Sequence, residues 1–141
     1  MSAGDARSAE AGNLETAKAF VAQWAKGTYA DLRGAYETYL ADDCVYENSG
    51  LPTVEGKATI LGMIDQLAAA QPVGAIVADI RSIAASGDLV YSERSDVHYD
   101  ADGNHAYTVD LLGVMQFRDG LITSWREYYD PRPMLTATGQ A

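Results

Sequence analysis

Three stretches near the C-terminus decide the fold: Leu89-Val-Tyr-Ser-Glu-Arg-Ser-Asp-Val-His-Tyr99, His105-Ala-Tyr-Thr-Val-Asp-Leu-Leu-Gly-Val-Met-Gln-Phe117 and Leu121-Ile-Thr-Ser-Trp-Arg-Glu-Tyr-Tyr129. Each is rich in β-branched and aromatic residues, which pack well on a pleated surface. Between them stand Asp100-Ala-Asp-Gly103 and Arg118-Asp119-Gly120, and Ser86-Gly87-Asp88 precedes the first. Residues of these types accept the dihedrals of tight turns, so antiparallel hairpins are expected, with a further strand from about Ala75 to Ala85.

Working outward, the N-terminal half reads as helices. Asn13 is placed to cap the first, and Leu14, Ala17, Phe20, Val21 and Trp24 recur at three-to-four spacing before Gly27 ends it. A second helix is expected from about Ala30 to Leu40, with Leu32, Tyr36, Tyr39 and Leu40 inward and Gly34 weakening it. Asp43-Cys-Val-Tyr-Glu-Asn48 reads as a short strand closed by Ser49-Gly50-Leu51-Pro52, on which Cys44, Tyr46 and Asn48 share a face. A third helical pattern, Ile60, Leu61, Ile64, Leu67 and Ala68, stops before Gln71-Pro72. Helices first and connected strands afterwards predict an α+β fold, helices covering one face of a curved sheet.

The chain has 141 residues, enough for one core, and 48% of them are hydrophobic against 21% charged. A single domain over 13–141 is expected, with 1–12 as a flexible tail. Met1 to Gly12 has no apolar run of the kind a secretory signal needs, so the expectation is cytoplasmic residence. No stretch approaches the roughly 20 apolar residues of a membrane span. Ten basic against twenty acidic side chains give a net charge of −10, which repels nucleic acid and anionic lipid. Cys44 is the only cysteine, which excludes an intrachain disulfide and a thiolate zinc cluster. The two histidines, His98 and His105, are poorly spaced for a metal, and no glycine-rich phosphate loop is present. Neither metal nor cofactor is expected.

On the last strand Leu121, Thr123, Trp125, Glu127 and Tyr129 share a side, setting one carboxylate among aromatics. A carboxylate buried there is costly unless paired, hydrogen-bonded or protonated, which makes Glu127 a functional candidate. Arg94 and Asp96, two apart on their strand, can enter the same pocket if the strands are neighbours. A guanidinium between two acids would hold both, and the pair would titrate as a unit with one member protonated. The plainer alternatives are a solvated cross-strand ion pair for Arg94 and Asp96, and a dimer-interface rim for Glu127, Trp125 and Tyr129. His98 reads as pocket lining and Cys44 as a small core residue.

The strings Val45-Tyr-Glu-Asn48 with Leu51-Pro52, Val90-Tyr-Ser-Glu-Arg-Ser-Asp-Val97, Leu112-Gly-Val-Met-Gln-Phe117 and Gly120-Leu-Ile-Thr-Ser-Trp-Arg-Glu-Tyr-Tyr-Asp130 resemble successive motifs of limonene-1,2-epoxide hydrolases. The resemblance runs from the first helix to Asp130. It implies a cone-shaped mixed or antiparallel sheet with three to four helices in its concave face, and a homodimer formed through exposed Tyr91, Val97, Tyr99 and Tyr128. It places the family's arginine on Arg94, its general acid on Asp96, and its water-holding tyrosine and asparagine on Tyr46 and Asn48. The family's basic aspartate falls on Glu127, one methylene longer, which puts the base about an ångström further into the pocket. The implied activity is cofactor-free addition of water to a small apolar epoxide, giving a diol. Phe20, Trp24, Val109, Leu111, Met115, Trp125 and Tyr129 are expected to line the substrate cavity. Glutamate also leaves open attack by a hydroxyl of the substrate itself, or an isomerase or polyketide-cyclase activity, and a non-catalytic module like nuclear transport factor 2 is the reading from a different class. The segment from Pro131 either covers the cavity mouth or frays.

Overall fold

A computed structural model describes residues 3–25, 27–70 and 73–139. In chain order it contains α1 (Ala3–Trp24), α2 (Tyr29–Tyr39), β1 (Leu40–Asn48), β2 (Val54–Glu55), α3 (Lys57–Ala70), β3 (Val73–Ser86), β4 (Leu89–Asp100), β5 (His105–Arg118), β6 (Leu121–Tyr129) and α4 (Arg132–Ala137). The strands form one mixed sheet in the order β2-β1-β6-β5-β4-β3. The meander from β3 to β6 is antiparallel, whereas β1 runs parallel to β6. Asp119 and Gly120, with φ of 53° and 78°, form the two-residue turn between β5 and β6, a backbone matched to the strands' right-handed twist.

Helix α1 packs on β3 and β4, and α3 packs on β1. Ala17, Phe20, Val21 and Trp24 bury one stripe of α1 against Val90, Met115, Phe117, Ile122 and Trp125 of the sheet. Thr28 starts α2, its backbone N–H donating to Asp31 Oδ2 at 2.9 Å in a capping box.

Several expectations need correction. Ala3–Gly12, expected as a tail, is the first part of α1: the segment is alanine-rich, contains no proline, and extends the helix with mostly exposed side chains. Met1 and Ser2, and the Gln71-Pro72 stop of the third helix, lie outside the described residues. Strand β1 begins at Leu40, so this residue ends α2's run by entering the sheet. Strand β2 and helix α4 are additions. Ile122 is fully buried although alternation put it opposite Trp125. The register jumps from Gln116↔Ser124 to Phe117↔Ile122, leaving Thr123 as an extra residue that flips the face of β6.

Candidate active site

The sheet register assembles the site. Asn48 of β1 pairs with Glu127 of β6, Glu127 with Gly113 of β5, and Gly113 with Ser92 of β4, a single row across four strands. Arg94 lies two residues along β4 from Ser92, on the same face, and Asp96 two further. The guanidinium reaches back over Gly113 to the glutamate. Arg94 Nη2 donates to Glu127 Oε1 at 2.7 Å and to Asp96 Oδ2 at 2.9 Å, while Nε donates to Asp96 Oδ1 at 3.1 Å. All three residues are buried, Arg94 completely, and the Trp24 ring of α1 covers the cation at 5.3 Å.

Gly113 makes this meeting possible. A Cβ there would lie 2.6 Å from Glu127 Oε2, 3.0 Å from Arg94 Nη1 and 3.3 Å from Ser92 Oγ. The Glu127 carboxylate therefore lies against the bare backbone of β5. Oε2 is buried with no hydrogen-bond partner among the described residues. Burial raises the Glu127 pKa above its ordinary 4.5, and the adjacent Arg94 only partly opposes this. Burial alone would lower Arg94, but Glu127 and Asp96 outweigh it and keep the cation charged.

Tyr46 stacks on Trp125, ring centroids 4.5 Å apart and planes 19° from parallel, and burial raises its phenol pKa. Asn48 Oδ1 accepts from the Tyr129 hydroxyl at 2.9 Å, which fixes the amide and turns its N–H groups elsewhere. These groups face a cavity of about 190 Å³ whose lining includes Trp24, Tyr46, Asn48, Asp96, Val109, Leu111, Trp125, Glu127 and Tyr129. Phe20 and Met115 do not line it. They are 0% and 1% exposed in the core beneath, Phe20 edge-on to Trp125 at 5.1 Å and Met115 paired with Trp125 one row beyond Glu127.

The cavity also takes in residues that sequence reasoning missed: Leu51 after β1, Met63 and Leu67 of α3, Tyr107 of β5, Tyr29 of α2 and Met134 of α4. For Tyr107 the signal was available, because it alternates with Val109 and Leu111 on one strand face. His98 lines the cavity too, stacked on Tyr107 with centroids 4.2 Å apart. Cys44 is buried, and burial pushes its thiol up to about 12, the setting of a core residue and not of a nucleophile. Among the described residues there is no group of three or more His, Cys, Asp or Glu side chains that could hold a metal ion, and no helix is long and apolar enough to cross a membrane.

Comparison with known proteins agrees with this architecture. Over 91 residues the chain is 34% identical to epoxide hydrolase EphG of Mycobacterium tuberculosis (strain ATCC 25618 / H37Rv), a match spanning 64% of this chain and 58% of that protein. The solved structure of an M. tuberculosis LEH-like epoxide hydrolase superposes with a TM-score of 0.70 at 24% identity, covering 93% of this chain and 92% of the other. A putative SnoaL-like polyketide cyclase from Jannaschia sp. CCS1 superposes with a TM-score of 0.71 at 17% identity, covering 94% of each chain. At such identities these two superpositions show a shared fold. The limonene-1,2-epoxide hydrolase catalytic domain, however, matches residues 11–140 as a family, a span that holds every strand and the whole Arg94 cluster, and the chain belongs to that family.

Proposed function

We propose that this chain adds water to a small apolar epoxide in one step, by general acid–base catalysis, to give a vicinal diol. The observation that supports this above all is a fully buried arginine hydrogen-bonded to two carboxylates, Asp96 and Glu127, which both line an otherwise largely apolar cavity. Asp96, in its acid form, donates a proton to the epoxide oxygen as the carbon–oxygen bond breaks. On the other side a water oxygen attacks the ring carbon and loses its proton to Glu127. Oε1 is engaged by Arg94, so Oε2 is the oxygen free to accept it. Tyr46 and the N–H groups of Asn48 hold the water, and Tyr129 fixes Asn48 from behind. The step leaves Asp96 ionised and Glu127 protonated, and Arg94, bonded to both, steadies the charge as it moves from one to the other. No covalent intermediate and no cofactor is required.

Each proton-transfer partner contributes roughly 10²- to 10⁴-fold in rate. Asp96→Asn and Glu127→Gln should therefore each nearly abolish diol formation while the protein keeps its folded circular-dichroism spectrum. Parent rates in both variants would sink the assignment. The glutamate in place of the family's aspartate supports a second reading, a cyclase or isomerase in which the same carboxylate takes a proton from the substrate. Two copies pair through the outer sheet face, where Tyr91, Leu112 and Tyr128 are 38%, 45% and 53% exposed. Sedimentation of the parent as a monomer at micromolar concentration would contradict that pairing.

A further inference from the structure

The cavity has two chemically different walls. Over β1, helix α3 contributes Met63 and Leu67, and Leu51 lies beside them, a wholly apolar wall. Across the sheet, on the far side of β6, the register pairs His98 of β4 with Tyr107 of β5, one step beyond the Asp96↔Val109 pair. The two rings stack 4.2 Å apart at 17°, and Tyr29 from the start of α2 joins them in the lining. The stack fixes both rings, so their polar atoms are pre-set rather than floppy.

The geometry points to His98, Tyr107 and Tyr29 as a recognition arc for a neutral oxygen function, a hydroxyl or carbonyl carried by the substrate away from its epoxide ring. This rests on the hydrolase reading and names the substrate class for it: an amphiphilic epoxide whose hydrocarbon body lies on α3 while its second oxygen meets the arc. Tyr29 and Tyr107 are half-buried and line the cavity, and His98 Nδ1 is buried with no hydrogen-bond partner among the described residues. Polar groups in such a setting favour a ligand that completes their bonds and discriminate against one that leaves them unpaired. Burial keeps the arc neutral, raising both phenols and pushing His98 down to about 4 despite Asp96 nearby. Neutral donors and acceptors beside two acids suit an alcohol or carbonyl and not a carboxylate or phosphate.

The test compares cyclohexene oxide with its ring-hydroxylated counterpart, the hydroxyl set across the ring from the epoxide. The parent enzyme should favour the hydroxylated epoxide by about tenfold or more in kcat/KM. Tyr107→Phe and Tyr29→Phe, each checked for a parent-like melting temperature, should each shrink that ratio by roughly threefold to tenfold, as loss of one hydrogen bond implies. Either variant suffices if the other fails to fold. Equal parent rates on the two epoxides, or a ratio unmoved by both substitutions, overturns the arc. Turnover of neither epoxide counts against the hydrolase reading instead. Calorimetry with cyclohexanol and cyclohexane then decides the arc: a preference for the alcohol that weakens in the variants supports it, and no preference overturns it.

Discussion

Replacing Gly113 with alanine puts a methyl group where the Glu127 carboxylate now lies. The added Cβ would sit 2.6 Å from Oε2, so the carboxylate must retreat by about 0.8 Å to restore the 3.4 Å of ordinary contact. Arg94 Nη1, 3.0 Å from the same point, must yield as well. Overpacking of this kind costs about 1–3 kcal/mol, or roughly 4–12 °C in melting temperature for a chain of this size. A displacement near 1 Å at a reacting group costs on the order of 10²-fold in rate. Glu127→Asp removes one methylene and with it the overlap, so Gly113→Ala/Glu127→Asp should recover much of both losses. The melting-temperature arm of this cycle needs no substrate, and kcat on an epoxide supplies the second arm. Additive losses in the double variant, or a Gly113→Ala protein with parent stability and rate, would show that Gly113 and the Glu127 carboxylate are not in contact, because contacting residues couple and distant ones do not.

Other consequences follow from the same cluster. Arg94→Gln strands two carboxylates in a buried site and should cost about 3–5 kcal/mol in urea unfolding; a parent-like midpoint would show that the ion triad is not holding the floor together. Because Glu127 holds its proton above the ordinary value of 4.5, the acid limb of kcat/KM should have its midpoint above 4.5, and a midpoint at or below it contradicts the burial argument. The folded state then binds this proton more tightly than the unfolded state, so the contribution of Glu127 to stability declines as pH rises from the ordinary carboxylate range through the raised folded value. His98 acts in the opposite sense: with a pKa of about 4 against 6.5, it binds its proton more weakly when folded, and its contribution is lost as pH falls from about 6.5 to 4. His98→Gln should flatten the stability profile across that window, and an unchanged slope would contradict it.

Much of this arrangement was legible in the chain because strand alternation is a strict geometric rule. It put Arg94, Asp96 and His98 on one face of β4, and Trp125, Glu127 and Tyr129 on one face of β6, where they stand. Turn residues such as Asp119 and Gly120 marked the hairpins for an equally local reason. What failed to show depends on pairing between strands. The Thr123 bulge that buries Ile122 is a mismatch with β5, and no property of Ile122 itself reveals it. The significance of Gly113 was hidden for the same reason, since its neighbours Ser92 and Glu127 lie 21 and 14 positions away in sequence and meet it only through the register. Phe20 and Met115 face inward as their spacing implies, but periodicity gives a direction and not a depth, and both lie a layer below the cavity. Met134 needed the short α4, whose six residues carry too little apolar pattern to announce a helix.

A single turnover in oxygen-18 water, with enzyme in excess over a cyclic epoxide, tests directly whether Asp96 and Glu127 act as acid and base in one step. The expected product is a diol carrying one labelled oxygen from the first turnover onward. An unlabelled first-turnover diol, its oxygen supplied by an enzyme carboxylate, or an unlabelled rearranged product in place of a diol, would contradict it.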